Sequence, residues 1–356
     1  MKKILLFLLC TNLFIPNIKA STQTAQEYIL MDMNSGRILE GKDYNNPRLI
    51  ASITKIMTCV IAIESNKLEE TLTVDDSVLK AYGSGIYIKV GEKLKLKDLL
   101  YGLMLRSGND AAAMVSSYVA GSEEEFVKLM NLKAKEIGMK HTIFRNSSGL
   151  DENDSGNYST AYDMALLTKY AMQYDEYKKI VSTKKYSLKT NLNYYVWHNK
   201  NKLLSNKYIT GGKTGYTKKA GRTLVSTASI NNLDLIVVTI KDTDDWNTHI
   251  SLYEQAKNKY KLYKILDKNK FKIEEKNYKN KIFIKDDFYM ALKEDEKNKV
   301  STKIKLEKLD KFENGQNIGQ CLIYLNNNLI NKINIFVKKE ETKNKNKNFW
   351  EWIKFW

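Results

Sequence analysis

The stretch Ser52-Ile53-Thr54-Lys55-Ile56-Met57-Thr58-Cys59-Val60-Ile61-Ala62-Ile63-Glu64-Ser65 constrains this chain more than any other. Its spacing predicts a helix over 52–65, with Ile53, Met57, Val60 and Ile61 on the buried side. An apolar helix of this kind has to be covered by other elements. It nevertheless opens on a hydroxyl, and a lysine follows one turn later on the same face. Burial beside another cation lowers a lysine pKa, so Lys55 is expected to supply a neutral amine that can take the Ser52 proton. The helix start adds free backbone N–H groups and a positive field.

Two other segments carry chemistry-bearing residues. Leu99 to Leu105 is short and apolar and runs into Arg106-Ser107-Gly108-Asn109, with a second helix expected from about Asp110. Leu203 to Thr210 leads into Lys213-Thr214-Gly215 through Gly211-Gly212, two glycines that let another backbone approach closely. Neither Ser-x-x-Lys nor Ser-Gly-Asn is unique, since copies occur at Ser77/Lys80, Ser182/Lys185 and Ser155/Asn157. Context separates them. The copies lie in polar stretches, while Ser52 and Ser107 adjoin apolar helical segments.

The remaining pattern predicts an α+β fold. Residues 28–32 and 36–39 read as a hairpin turning at Asn34-Ser35-Gly36, and 224–228 and 233–240 as neighbouring strands around Asn231-Asn232. Further amphipathic helices are expected over 126–137, stopped by Gly138, and over 160–172. From about residue 260 the composition shifts to Lys, Asn and short alternating strands, with a turn at Asn326-Asn327-Asn328. The expected organisation is a catalytic domain over 21–258, a linker over 259–269, a small all-β domain over 270–338, and a basic tail over 339–356.

Both ends have their own signature. Met1-Lys2-Lys3, the apolar run Ile4–Leu9, Pro16 and the small residue Ala20 have the order of a secretory signal peptide over 1–20. Its removal takes away Lys2, Lys3 and Lys19 and no acid, lowering the formal charge from +17 to +14. Cys59 and Cys321 would remain, and both read as buried, unbridged residues. At the other end Phe349, Trp352, Ile353 and Trp356 share one helical stripe beside Lys347 and Lys354. That predicts attachment to a membrane surface. No apolar run reaches the ~20 residues that span a bilayer. The positive charge points to an anionic envelope surface, and without a nucleic-acid motif no nucleic-acid partner is expected.

The trio Ser52-x-x-Lys55, Ser107-Gly108-Asn109 and Lys213-Thr214-Gly215, in this order, resembles the penicillin-binding protein and serine β-lactamase superfamily. The surrounding residues narrow the resemblance to low-molecular-mass penicillin-binding proteins, the serine-type D-alanyl-D-alanine carboxypeptidases. These are Ala51 to Thr58, Asp98 to Ala112, Thr160 to Ala165 and Lys213 to Gly221. The resemblance covers about 25–255. It implies a serine β-lactamase/transpeptidase-like domain, with helices around an antiparallel sheet, before the small β domain.

It also implies roles. Ser52 attacks the penultimate D-Ala carbonyl of a peptidoglycan stem peptide, and Lys55 is the general base. Ser107 and Asn109 relay the proton and orient the substrate, while Lys213 and Thr214 bind its carboxylate. The backbone N–H groups of Ser52 and Tyr216 form an oxyanion hole, and the peptide lies along the 213–216 strand, Gly215 included. β-Lactams would trap Ser52. The resemblance calls for a second arginine on the carboxylate. The region Asp244 to His249 holds none, and Arg222 is the nearest candidate. No metal or cofactor is implied, and His141, His198 and His249 read as structural or surface residues. A β-lactamase is the rival reading, but no Glu-x-x-Leu-Asn element is present to hold a hydrolytic water. A non-catalytic wall-binding protein of the same fold would not need Ser52 or Lys55. The location implied is the outer face of the cytoplasmic membrane.

Overall fold

The computed structural model describes residues 24–151, 156–273, 282–307, 309 and 311–338. The expected signal peptide and the amphipathic end lie outside the described residues.

Five antiparallel strands form the central sheet: β1 (Glu27–Asp32), β2 (Ile38–Lys42), β3 (Ile209–Thr217), β4 (Gly221–Ile230) and β5 (Leu233–Ile240). Their order is β2-β1-β5-β4-β3, so N-terminal and C-terminal segments share one sheet. Asn231 and Asn232 join β4 to β5 with φ of 51° and 64°. That left-handed pair suits the twist of a two-residue hairpin. β5 is apolar almost throughout because both of its faces are covered. Leu235 and Val237 pack with Leu252, Tyr253 and Ala256 of the helix Asp245–Lys259. Ile236, Val238 and Ile240 face a larger helical cluster on the other side.

That cluster contains α1 (Lys55–Glu64), α2 (Asn109–Ala120), α3 (Glu123–Ile137) and α4 (Ala161–Ala171). Residues Lys55 to Ile63 are all buried, as the apolar run demanded. The start of this helix differs from expectation. Ser52 lies on a 3-10 turn, Ala51–Thr54, and α1 itself begins at Lys55. Ala51, the first residue of that turn, has a left-handed φ of 47°, which the interior of α1 could not accommodate. Gly149 backs this turn so closely that a Cβ there would fall 2.0 Å from the Ala51 carbonyl oxygen. Leu96–Tyr101 is helical and widens into a π turn, Gly102–Arg106, which ends at the left-handed Ser107. π turns recur at functional sites. The Ser122 hydroxyl caps α3 by accepting the Glu125 N–H, and Gly138 ends it at φ 88°.

The all-β module contains β6 (Lys261–Leu266), β7 (Ile282–Phe283), β8 (Phe288–Leu292), β9 (Val300–Leu306), β10 (Asn317–Leu325) and β11 (Asn328–Val337). β7-β11-β10-β9 form one sheet, and β6 pairs with β8. β6 occupies the stretch expected to be a linker. Its alternation serves two cores, because Leu262 packs with the catalytic side while Tyr263 and Ile265 pack with the β module. A polar joint reinforces the contact. The Arg37 guanidinium donates to the Ala291 carbonyl at 2.7 Å and to Glu296 at 2.6 and 2.9 Å. The Asp32 carboxylate accepts the Ala291 N–H at 3.0 Å. Cys59 and Cys321 are buried and unbridged. No helix among the described residues is long and apolar enough to cross a membrane.

Candidate active site

Ser52 and Lys55 meet where the 3-10 turn passes into α1. Lys55 Nζ lies 3.1 Å from Ser52 Oγ and donates to Asn109 Oδ1 at 2.7 Å and to the Ser148 carbonyl at 2.5 Å. Lys55 is fully buried. Burial, aided by the positive charge of Lys200, pushes its pKa down to about 7, against the opposing pull of Asp110 and Glu123. A buried ammonium is costly, and its three hydrogens find three acceptors; the neutral amine keeps Asn109 and Ser148 and turns its lone pair to the Ser52 hydroxyl.

Ser107 and Asn109 come from the turn between the π segment and α2. The left-handed backbone of Ser107 (φ 63°) aims its hydroxyl at Lys213, whose Nζ donates to it at 3.0 Å. Asn109 donates through Nδ2 to the Tyr82 carbonyl at 2.6 Å, so its amide can present only Oδ1 to Lys55. The Asp110 carboxylate accepts the N–H groups of Ile86 and Tyr87, tying the 82–87 loop to this turn.

β3 forms the opposite wall. Lys213 is buried, and its Nζ also donates to the Thr214 carbonyl at 2.7 Å. Burial first, then Lys55 and Lys200, hold its amine well below the usual lysine range. Gly215 is required by space: an added Cβ would stand 2.4 Å from Thr223 Oγ1 and 2.9 Å from the Ser52 nitrogen. The strand therefore lies directly against the Ser52 backbone. Between these walls runs a cleft of about 330 Å³ lined by Ser52, Ser107, Thr214, Tyr216, Lys200 and Arg222. Arg222 reaches it from β4, steadied by Asp245 at 2.6 Å and stacked over Trp246. All nine residues singled out from the sequence thus cluster at or immediately behind one cleft.

Three contributors had no sequence signal. Lys200 lines the cleft and donates to Ser84 Oγ at 3.2 Å, but one lysine among 58 basic residues is anonymous. The Ser148 carbonyl is a backbone group. Glu123, which acts on Lys55 from α3, looks like any acid in a helix's first turn. Two of the rival motif copies stay out of the cleft, and Ser155 of the third lies outside the described residues. Ser77 and Lys80 lie on a surface 3-10 turn, and Ser182 and Lys185 at a helix end and the following strand. His249 is buried between Ser226 (2.6 Å) and Thr239 (3.1 Å) behind the sheet, and burial pushes its pKa down to about 3. It is a neutral core residue. Among the described residues no group of three His, Cys, Asp or Glu side chains is placed to hold a metal.

The profile of the D-alanyl-D-alanine carboxypeptidase family matches residues 16–244. The chain belongs to the D-alanyl-D-alanine carboxypeptidase family. Residues 260–343 match the C-terminal domain of penicillin-binding protein 5. The carboxypeptidase DacF of Bacillus subtilis is 36% identical over 223 residues, covering 60% of this chain and 56% of that protein. DacC of Escherichia coli is 35% identical over 250 residues, covering 64% and 61%. The chain therefore spans under two thirds of the length of these relatives. Among solved structures, penicillin binding protein 5 from Haemophilus influenzae has a TM-score of 0.73 at 28% identity, covering 89% of this chain and 97% of that one. The likeness extends over both modules, so this carboxypeptidase-family chain has the transpeptidase-like α+β fold with an all-β C-terminal module.

Proposed function

We propose that this chain is a serine-type D-Ala-D-Ala carboxypeptidase that removes the terminal D-Ala from peptidoglycan stem peptides. The observation that carries the reading is the fully buried Lys55 amine, depressed to about 7, 3.1 Å from Ser52 Oγ and facing Lys213 across the cleft. Family membership supports it, and supports it over a β-lactamase or a non-catalytic wall-binding protein.

The neutral Lys55 amine takes the Ser52 proton as Oγ bonds to the penultimate D-Ala carbonyl carbon. Backbone N–H groups of Ser52 and Tyr216 receive the oxyanion, a placement favoured by the close approach of β3 to Ser52. The C–N bond breaks, the proton taken by Lys55 passes to the leaving nitrogen through the Ser107 hydroxyl while Asn109 orients the amine and the substrate, and D-Ala departs. Water then splits the Ser52 ester, giving the shortened peptide and restoring the hydroxyl. Lys213, Thr214 and Arg222 bind the terminal carboxylate, with Lys200 adding charge at the same wall. The peptide backbone lies along β3 as an added strand.

A penicillin presents the same carboxylate and a reactive carbonyl. Incubation with penicillin should add one drug mass per chain, and peptide mapping should place it on Ser52. A stoichiometric adduct elsewhere, or no adduct, refutes the reading.

Residues 1–20 are proposed to direct export, and the aromatic end to hold the protein on the outer face of the cytoplasmic membrane. Deleting residues 348–356 should move the protein from the membrane pellet to the supernatant. Unchanged sedimentation would dismiss the anchor while leaving the chemistry untouched.

A further inference from the structure

The Lys55 amine is held by groups that the catalytic trio does not include. The Ser148 carbonyl accepts from Lys55 Nζ at 2.5 Å and lies 3.5 Å from Ser52 Oγ, so it positions base and nucleophile together. Ser148 is in turn fixed by its neighbour. The Ser147 N–H and hydroxyl both donate to the Glu123 carboxylate, at 2.6 and 2.9 Å. The Ser147 carbonyl accepts from Thr58 Oγ1 at 2.6 Å, one turn beyond Lys55 on α1. The chain Glu123–Ser147–Ser148–Lys55 is therefore continuous. Glu123 opens α3, where the helix N-terminus favours a negative charge.

We propose that Glu123 is a positioning residue for Lys55, acting through the Ser147–Ser148 backbone and through its own negative charge. The proposal rests on Lys55 being the base. Two independent observations support it. One is the double hydrogen bond that spends both carboxylate oxygens on a single residue of the turn behind the nucleophile. The other is electrostatic: the charges acting on Lys55 are Lys200, Asp110 from α2 and Glu123 from α3, with Lys213 on β3 facing it. The two acids favour the ammonium, and the lysines oppose it. Lys80, from the 3-10 turn Asp76–Lys80, lines the same cavity as Glu123. Removing the Glu123 charge shifts the balance toward the neutral amine, so the base becomes available at lower pH.

The test follows acylation of the full chain by a fluorescent penicillin from pH 5.5 to 9. In Glu123→Gln the rising limb should move to lower pH, and the ratio of rates at pH 6 and pH 8.5 should increase about threefold for each half unit of movement. That ratio is insensitive to a uniform loss from a disturbed Ser147–Ser148 turn. Glu123→Asp keeps the charge with a shorter reach, so its limb should stay at the wild-type pH while the plateau rate falls several-fold. Glu124→Gln, one residue along and paired with Lys128 instead of Ser147, should leave limb and plateau alone. An unmoved limb in Glu123→Gln overturns the proposal whatever happens to Tm, as does an equal shift in Glu124→Gln. A wild-type profile with no limb near 7, together with normal acylation of Lys55→Met, would instead reject Lys55 as base and this inference with it.

Discussion

Ser52→Ala is expected to lower D-Ala release from a D-Ala-D-Ala peptide by about a million-fold, as loss of the nucleophile does in a serine hydrolase. The variant should also form no penicillin adduct. The fold should survive, because among the described residues the Ser52 hydroxyl meets the Lys55 amine at 3.1 Å and the Ser148 carbonyl at 3.5 Å, both weak contacts. The amine keeps two shorter bonds, to Asn109 and Ser148. Stability should therefore change by no more than about 1 kcal/mol. Release of D-Ala at more than a thousandth of the wild-type rate by a correctly folded variant would remove Ser52 from the mechanism.

Lys55→Met is the second large effect, at about 10²–10⁴-fold in acylation, the usual worth of a positioned base. In the wild type, acylation should rise as pH passes upward through about 7, because the buried amine has to lose its proton before it can accept one. The variant should lack this limb. Stability carries the same signature. An unfolded Lys55 binds its proton up to the ordinary value of 10.5, while the folded one releases it near 7. Between those values the unfolded chain holds more protons, so stability rises with pH. Denaturant unfolding at pH 7 and pH 9 should show a smaller rise in Lys55→Met than in the wild type. The remaining rise belongs to Lys213, Lys200 and Lys169, which are depressed in the same direction. An identical rise in both proteins would contradict the assigned burial.

Much of this was legible before any coordinates. The apolar run after Ser52 required burial, and Lys55 is buried. The two glycines that enter β3 marked a close approach, and an added Cβ on Gly212 would fall 2.3 Å from the Val225 carbonyl oxygen, whereas the fit of Gly215 against the Ser52 nitrogen had no signal of its own. The Asn-Asn turns folded as read because asparagine tolerates positive φ. What escaped notice has a common cause. The Ser148 carbonyl, the Ala51 backbone twist and the two-faced use of β6 are properties of backbone and tertiary contact. Side-chain identity does not encode them. Lys200 and Glu123 are ordinary residues whose importance comes only from what they stand beside.

The joint at Arg37 has a mechanical meaning. Arg37, Asp32 and Ser35 belong to the β1–β2 hairpin, and they grip Ala291, Glu296 and Asn331 of the other module. Since β1 hydrogen-bonds through β5 and β4 to β3, that grip is continuous with the strand that lines the cleft. A tilt imposed on the β module is therefore passed toward the mouth of the cleft along a path of hydrogen bonds, which ties aim to the posture of the whole molecule.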